Sequence, residues 1–247
     1  MAARLWRSMS TLTLVRHGQA TPFEDVKDRL STLGETQARK LGEFWTRLGV
    51  VFDEVYTGTL VRQQRTAEIV GAVYADAGMS WPAAQRIEEL NEYDVDGISS
   101  QLVPLLAEQD AQFRELIETS RANRHGPDRN RHFQRMFEAV MKRWMEGSIE
   151  ADGVEPWKTF RNRVRGGLER ISTNAGGGKR VVAFTSGGPI GVSVQLALAA
   201  PDTSGLEVNW RVRNCSLTEF VFSQNRFSLD SFNAMPHLDD PGLWSYR

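Results

Sequence analysis

The sequence predicts an α/β fold, a three-layer sandwich in which a mostly parallel sheet is flanked by helices and carries a helical insertion. Three observations predict it. The N-terminal third reads strand, helix, strand, helix, the rhythm of parallel strands joined by crossover helices. A later apolar strand runs through a glycine turn directly into a helix, in "VVAFTSGGPIG". Between them lies a charged segment with helical periodicity and little strand character.

In order along the chain, "TLTLVRHG", Thr11 to Gly18, is a strand ending in a polar, glycine-bearing loop. From Ser31 to Leu48 the residues Ala38, Leu41, Phe44, Trp45 and Leu48 recur at helical spacing. "VFDEVYTG" is a short second strand, and Leu60 to Tyr74 is a helix with Thr66, Ala67, Val70 and Tyr74 on one side. Residues 99–147 or so form the helical insertion, with "SRANRHGPDRN" as a polar break between two helices. No linker flanks this segment, so residues 11–247 are expected to form a single domain. "EPWKTFRNRVRGGLERI" is another helix, followed by a strand from Arg180 to Thr185. Gly188-Pro189 opens a helix through Ala199, with proline in the first turn where its missing N–H does no harm. "CSLTEFVF" and "RFSLDSF" flank "SQN" as an antiparallel hairpin near a sheet edge.

Composition narrows the function classes. In 247 residues, 40% are apolar, enough for a sizeable core. The net charge of −1 argues against a general nucleic-acid or membrane-surface binder, which normally carries a basic excess. No run approaches the roughly 18 apolar residues of a membrane span. The lone Cys215 can form no internal disulfide and sits in an alternating apolar segment, as a buried structural thiol would. A reducing, cytoplasmic setting fits. Residues 1–10 read as a flexible tail, with a targeting fragment or a start at Met9 as the alternatives.

Ligands of open α/β sheets gather at the carboxyl ends of the strands, so the polar residues there are the candidates. The first strand supplies Arg16, His17, Gly18 and Gln19. The second supplies Thr57 and Gly58, with Arg62 one turn into the next helix. Ser186, Gly187 and Gly188 end a third, and Glu92 lies in the loop before the insertion. Each alone has a bland reading: His17 as a hydrogen-bonded structural histidine, Arg62 as a solvated helix charge, Glu92 as a surface carboxylate. Together they are chemically coherent. Guanidinium forks bind phosphate oxygens, neutral imidazole attacks phosphorus, and a carboxylic acid protonates the departing alcohol. Such a site needs no metal and no cofactor.

These stretches resemble the histidine phosphatase superfamily, the phosphoglycerate-mutase-like proteins. "LTLVRHGQA" looks like the family's first-strand signature, "YTGTLVRQQRTAEIV" its second block, and "RIEELNEYDVDG" the block holding the acid. "NCSLTEFVF" and "FNAMPHL" are also similar. The resemblance implies that His17 is the phosphate-accepting nucleophile, that Arg16 and Arg62 hold phosphoryl oxygens, and that Glu92 is the acid and later the base. Gln19, Thr57, Ser186 and Gly187 would line the substrate pocket. One position departs: the family's fourth phosphate-pocket residue is usually a histidine, and Ser186 stands there.

A serine can donate a hydrogen bond but carries no charge, so an altered yet working site is expected. The resemblance implies a metal-independent phosphatase acting on a small phosphorylated substrate. The mutase signature of a basic residue and paired glycines after the glutamate is absent, since "YDVDG" follows. Two alternatives stay open. One is a related protein that binds phosphorylated ligands with little turnover. The other is a serine hydrolase using Ser186 with Asp202 or Asp230 and His237, although Phe184 stands where a nucleophile elbow wants glycine. Arg121, Arg124, His125, Arg129 and Arg131 read either as a basic lid over an anionic substrate or as a solvated loop. Oligomeric state is not legible.

Overall fold

A computed structural model describes residues 9–21, 28–123, 125–175, 177–223 and 226–246. Most of the expected tail, Arg124 of the basic loop and the Gln224-Asn225 turn lie outside the described residues. The chain forms two compact units, one running to Glu92 and resuming at Arg163, the other spanning Tyr93–Asn162.

The first unit is built on a six-stranded sheet. Its strands are β1 (Ser10–Arg16), β2 (Glu54–Thr57), β3 (Gln85–Arg86), β4 (Arg180–Thr185), β5 (Leu217–Ser223) and β6 (Arg226–Ala234). The spatial order is β3-β2-β4-β1-β5-β6. Pairings of β1 with β4, β2 with β4 and β2 with β3 are parallel, and β5 alone runs against the rest. The α/β architecture, the mostly parallel sheet and the edge hairpin of β5 and β6 all agree with the sequence reading. Strand β3 was not foreseen, because two exposed residues show no periodicity.

Crossovers α1 (Thr32–Arg47) and α2 (Val61–Asp76) pack against each other, and α2 packs on β2 and β4. Successive side chains of a strand face opposite sides. Val15, Val55, Val182 and Phe184 accordingly share a core with Ala38, Leu41, Ala67 and Val70 of these helices. Leu12, Leu14, Val181 and Ala183 face the other side, where α7 (Gly187–Ala197) packs on β1 and β6. Against α7 lies α8 (Asp202–Asn209), a short helix following Pro201 that the sequence reading passed over. Cys215 is wholly buried in the core, and burial pushes its thiol up, consistent with a structural role.

The second unit is helical. Asp94 caps a turn at Val95–Gly97, a π-helical stretch covers Ile98–Leu102, and α3 (Val103–Gln109) follows. Asp110 then caps α4 (Ala111–Ala122) through the Gln112 and Phe113 N–H groups. After the expected polar break comes α5 (Arg129–Met145). Trp144 and Trp157 pack on each other and on Phe160, with Tyr93 against Trp144 and Phe160. The next helix, α6 (Trp157–Ala175), begins in this unit and ends in the first. No described helix is long and apolar enough to cross a membrane.

The loop after β1 rests on the start of α1 at a contact only glycines permit. A Cβ on Gly34 would lie 2.1 Å from the Gln19 carbonyl oxygen, and one on Gly18 would lie 2.4 Å from the Gly34 oxygen. Gly34→Ala must therefore push the His17–Gln19 loop outward. The expected result is a loss of about 1–3 kcal/mol in stability, read by urea unfolding. An unchanged midpoint would mean that the loop is not pinned there.

Candidate active site

Strand register brings the expected residues to one edge. Arg16 pairs with Thr185 and Thr57 with Phe184, so the carboxyl ends of β2, β4 and β1 finish at one level. Neighbouring strands lie roughly 4.8 Å apart. The ladder continues past the strands: the His17 N–H donates to the Thr185 carbonyl at 2.9 Å and the Gly58 N–H to the Phe184 carbonyl at 3.1 Å.

His17 is buried, with 6% of its surface exposed. Its Nδ1 lies 2.7 Å from the Gly18 carbonyl oxygen. A carbonyl only accepts, so Nδ1 carries the proton and Nε2 keeps a lone pair. Into that lone pair the Arg62 Nε–H donates at 3.0 Å. Burial first, then the Arg62 and Arg16 charges, hold the imidazole pKa well below its usual value, against an opposing push from the Gly18 carbonyl. A buried, neutral imidazole of fixed tautomer results, which is the form able to attack an electrophile.

Several contacts that the sequence reading missed fix this geometry. The Asn214 side-chain amide donates to the His17 carbonyl at 3.1 Å. The Gly18 N–H donates to the Thr66 hydroxyl at 3.1 Å. Asp28, in left-handed backbone (φ 69°), pairs through one carboxylate oxygen with the Arg62 guanidinium. Its other oxygen accepts the Val61 N–H at 2.7 Å, satisfying an orphan donor at the start of α2. Arg62 is thus held between His17 and Asp28. The Arg16 guanidinium donates to the Val212 carbonyl.

Glu92 sits where its carboxylate accepts the Gly188 N–H, at 3.0 and 3.2 Å to its two oxygens, at the positive end of α7. Its loop is tied down on both sides. Asn91 exchanges hydrogen bonds with Thr59, both at 2.7 Å. Arg163, on α6, donates to the carbonyls of Glu88, Glu89 and Asn91. Thr57 is buried and its hydroxyl donates to the Gly58 carbonyl. The Gln19 side-chain carbonyl accepts from Ser31, the N-cap of α1, at 2.8 Å. Ser186, the N-cap of α7, is fully buried, and its Oγ accepts from the Gln63 amide at 2.9 Å.

The serine-hydrolase reading finds no geometry. Among the described residues, neither ring nitrogen of His237 has a hydrogen-bond partner, so no serine–histidine pair exists. His237 instead lines a cleft with Lys40, Phe44 and Arg47, its ring 6.3 Å from that of Phe44. Among the described residues no group of three or more His, Cys, Asp or Glu is arranged to hold a metal ion.

His237 predicts an acid-sensitive fold. Burial first and the Lys40 charge second pull it down to about 4. The unfolded chain binds its proton near pH 6.5 and the native state only near 4. Stability is therefore full above 6.5 and is lost as pH falls through that window. At about 1.4 kcal/mol per pH unit, the loss is on the order of 3 kcal/mol. Urea unfolding across this range should show a smaller drop in His237→Phe than in the wild type. Equal drops would contradict the assignment.

Comparison with known proteins places the chain in a family. The family model of the histidine phosphatase superfamily (branch 1) matches residues 12–144 and 108–235. The 2,3-bisphosphoglycerate-dependent phosphoglycerate mutase of Thermobifida fusca is 38% identical over 92 residues, 34% of this chain and 35% of that protein. Matches to such curated relatives span between about a third and just under half of their length. A phosphoglycerate mutase from Bacillus anthracis superposes with a TM-score of 0.63 at 20% identity, covering 95% of this chain and 98% of that one. A phosphoserine phosphatase variant from Entamoeba histolytica, in complex with phosphoserine, gives a TM-score of 0.59 at 19% identity over 93% and 100% of the two chains. With the family model matched over more than half its length, the chain belongs to the histidine phosphatase superfamily (branch 1).

Proposed function

We propose that this protein is a metal-independent phosphatase that hydrolyses a small phosphate monoester through a phosphohistidine on His17. The observation that carries the proposal is the neutral His17 imidazole, with its Nδ1 proton on Gly18 and its Nε2 lone pair turned to Arg62. A bound phosphoryl group competes for the Arg62 guanidinium, which releases that lone pair. Nε2 then attacks phosphorus, the bond to the ester oxygen breaks, and Glu92 as a carboxylic acid delivers a proton to the departing alkoxide. In the second half, the Glu92 carboxylate takes a proton from water. The water oxygen attacks phosphorus, the P–N bond breaks, and phosphate leaves with Nε2 neutral again. Arg16 and Arg62 supply guanidinium donors to the phosphoryl oxygens. The α7 start at Gly187 and Gly188 adds a favourable backbone dipole. Hydrolysis is preferred over mutase chemistry because "YDVDG" follows the acid.

A second reading is a protein that binds phosphorylated ligands with little turnover. It draws support from Ser186, which offers no charge where the family usually has histidine, and from Asp28, which already holds the Arg62 guanidinium. Phosphate release from a panel of monoesters, with chelator present, distinguishes the two. His17-dependent turnover that survives chelation supports the phosphatase. Absence of turnover on every substrate, with recovery in Ser186→His, supports the binder.

A further inference from the structure

We infer that Gln63 is a positioning residue that turns the Ser186 hydroxyl proton toward the bound phosphoryl group. This rests on the phosphoryl-binding reading of the site. Gln63 follows Arg62 on α2 and is fully buried. The two neighbours serve adjacent strand ends: Arg62 donates to His17 after β1, and Gln63 donates to Ser186 after β4.

The orientation of the Gln63 amide follows from backbone chemistry. Its Oε1 accepts the Leu60 N–H at 3.3 Å, and its Nε2 donates to the Leu90 carbonyl at 3.1 Å. An N–H only donates and a carbonyl only accepts, so the amide cannot be flipped. The second Nε2 proton must then enter a Ser186 lone pair, which makes the serine oxygen an acceptor. Its own proton has to point elsewhere. Among the described residues nothing accepts it, although the side chain is wholly buried. A buried hydroxyl proton with no acceptor is one that a bound anion can satisfy. Ser186 occupies the next step of the β1–β4 ladder beyond Arg16 and Thr185, the level of His17. The Gln63–Ser186 pair thereby leaves one neutral donor at the strand end next to the one that carries the nucleophile.

The test is a double-mutant cycle of Gln63→Met and Ser186→Ala, read in kcat and KM for a monoester and in calorimetric binding of inorganic phosphate. Gln63→Met is expected to lower kcat about tenfold, less than the roughly 10²–10³ lost with a missing oxyanion donor, because the serine hydroxyl remains but is no longer oriented. In the Ser186→Ala background it should have almost no further effect. A merely structural role would lower kcat by the same factor in both backgrounds, and that result would overturn the inference. If Gln63→Met melts too low to assay, the near-isosteric Gln63→Glu takes its place. Its carboxylate would capture the Ser186 proton, so its loss should be larger with Ser186 present than without; equal losses would again overturn the inference. Turnover that persists in His17→Ala would refute the phosphohistidine route while leaving the phosphate-binding cycle to decide on Gln63. A wild-type protein that binds no phosphate would refute the role of Gln63 outright.

Discussion

His17→Ala is expected to reduce phosphate release by about 10⁴-fold or more, on the scale seen when a catalytic nucleophile is removed, while leaving the fold intact. The size follows from the route. Without Nε2 there is no covalent intermediate, and direct attack by water must cross the barrier that the two-step path avoids. Binding of inorganic phosphate should survive, because Arg16, Arg62 and the start of α7 remain. Steady-state kinetics, calorimetry and a melting curve read the three quantities separately. A loss below tenfold with unchanged melting would show that His17 is not the nucleophile.

Glu92→Gln should divide substrates by leaving group. An alkyl monoester departs as a strongly basic alkoxide and needs the proton, so its rate should fall on the order of 10²–10⁴-fold. An aryl ester whose leaving group is stable as a phenolate needs no proton in the first step, and its phosphorylation rate should fall little. Glutamine is close to glutamate in shape, and its carbonyl can still accept the Gly188 N–H that Glu92 accepts at 3.0 Å, so the loop geometry is kept. Pre-steady-state kinetics separates formation of the intermediate from its hydrolysis. The second step needs the base with either substrate. A uniform loss in the first step for alkyl and aryl esters would point to a positioning effect instead of proton transfer.

Much of this site was legible in the sequence because strand ends advertise themselves. Alternating apolar residues stop, a glycine follows, and the polar residues in between face the ligand edge. That is how Arg16, His17, Thr57 and Ser186 become candidates from the sequence, without their register. Arg62 and Glu92 join the same candidates by place alone, one a turn into the helix after the second strand and the other in the loop before the insertion, and only the resemblance to the family gives them roles. Asp28, Gln63, Asn214 and Arg163 were missed for a common reason. Each acts through a partner distant in sequence: Asp28 through Arg62, Gln63 through Ser186, Asn214 through His17, and Arg163 through the loop at Glu88–Asn91. Gln63 in particular reads as one more polar helix residue until its burial is seen. The fold shows the same division. Helix α8 has only Gly205 and Leu206 buried, too few to give an apolar stripe, and β3 is too short for alternation to register.

The most direct test of the phosphohistidine is to trap it. Mixing enzyme with an aryl monoester in excess, quenching in alkali within one turnover and mapping the phosphorylated peptide by mass spectrometry would locate the phosphoryl group. The account predicts a base-stable, acid-labile phosphoramidate on the imidazole of His17, formed with chelator present and absent in His17→Ala. A phosphoryl group on another side chain, such as an acid-stable ester on Ser186, would contradict it. So would steady turnover with no protein-bound phosphoryl group on a millisecond quench.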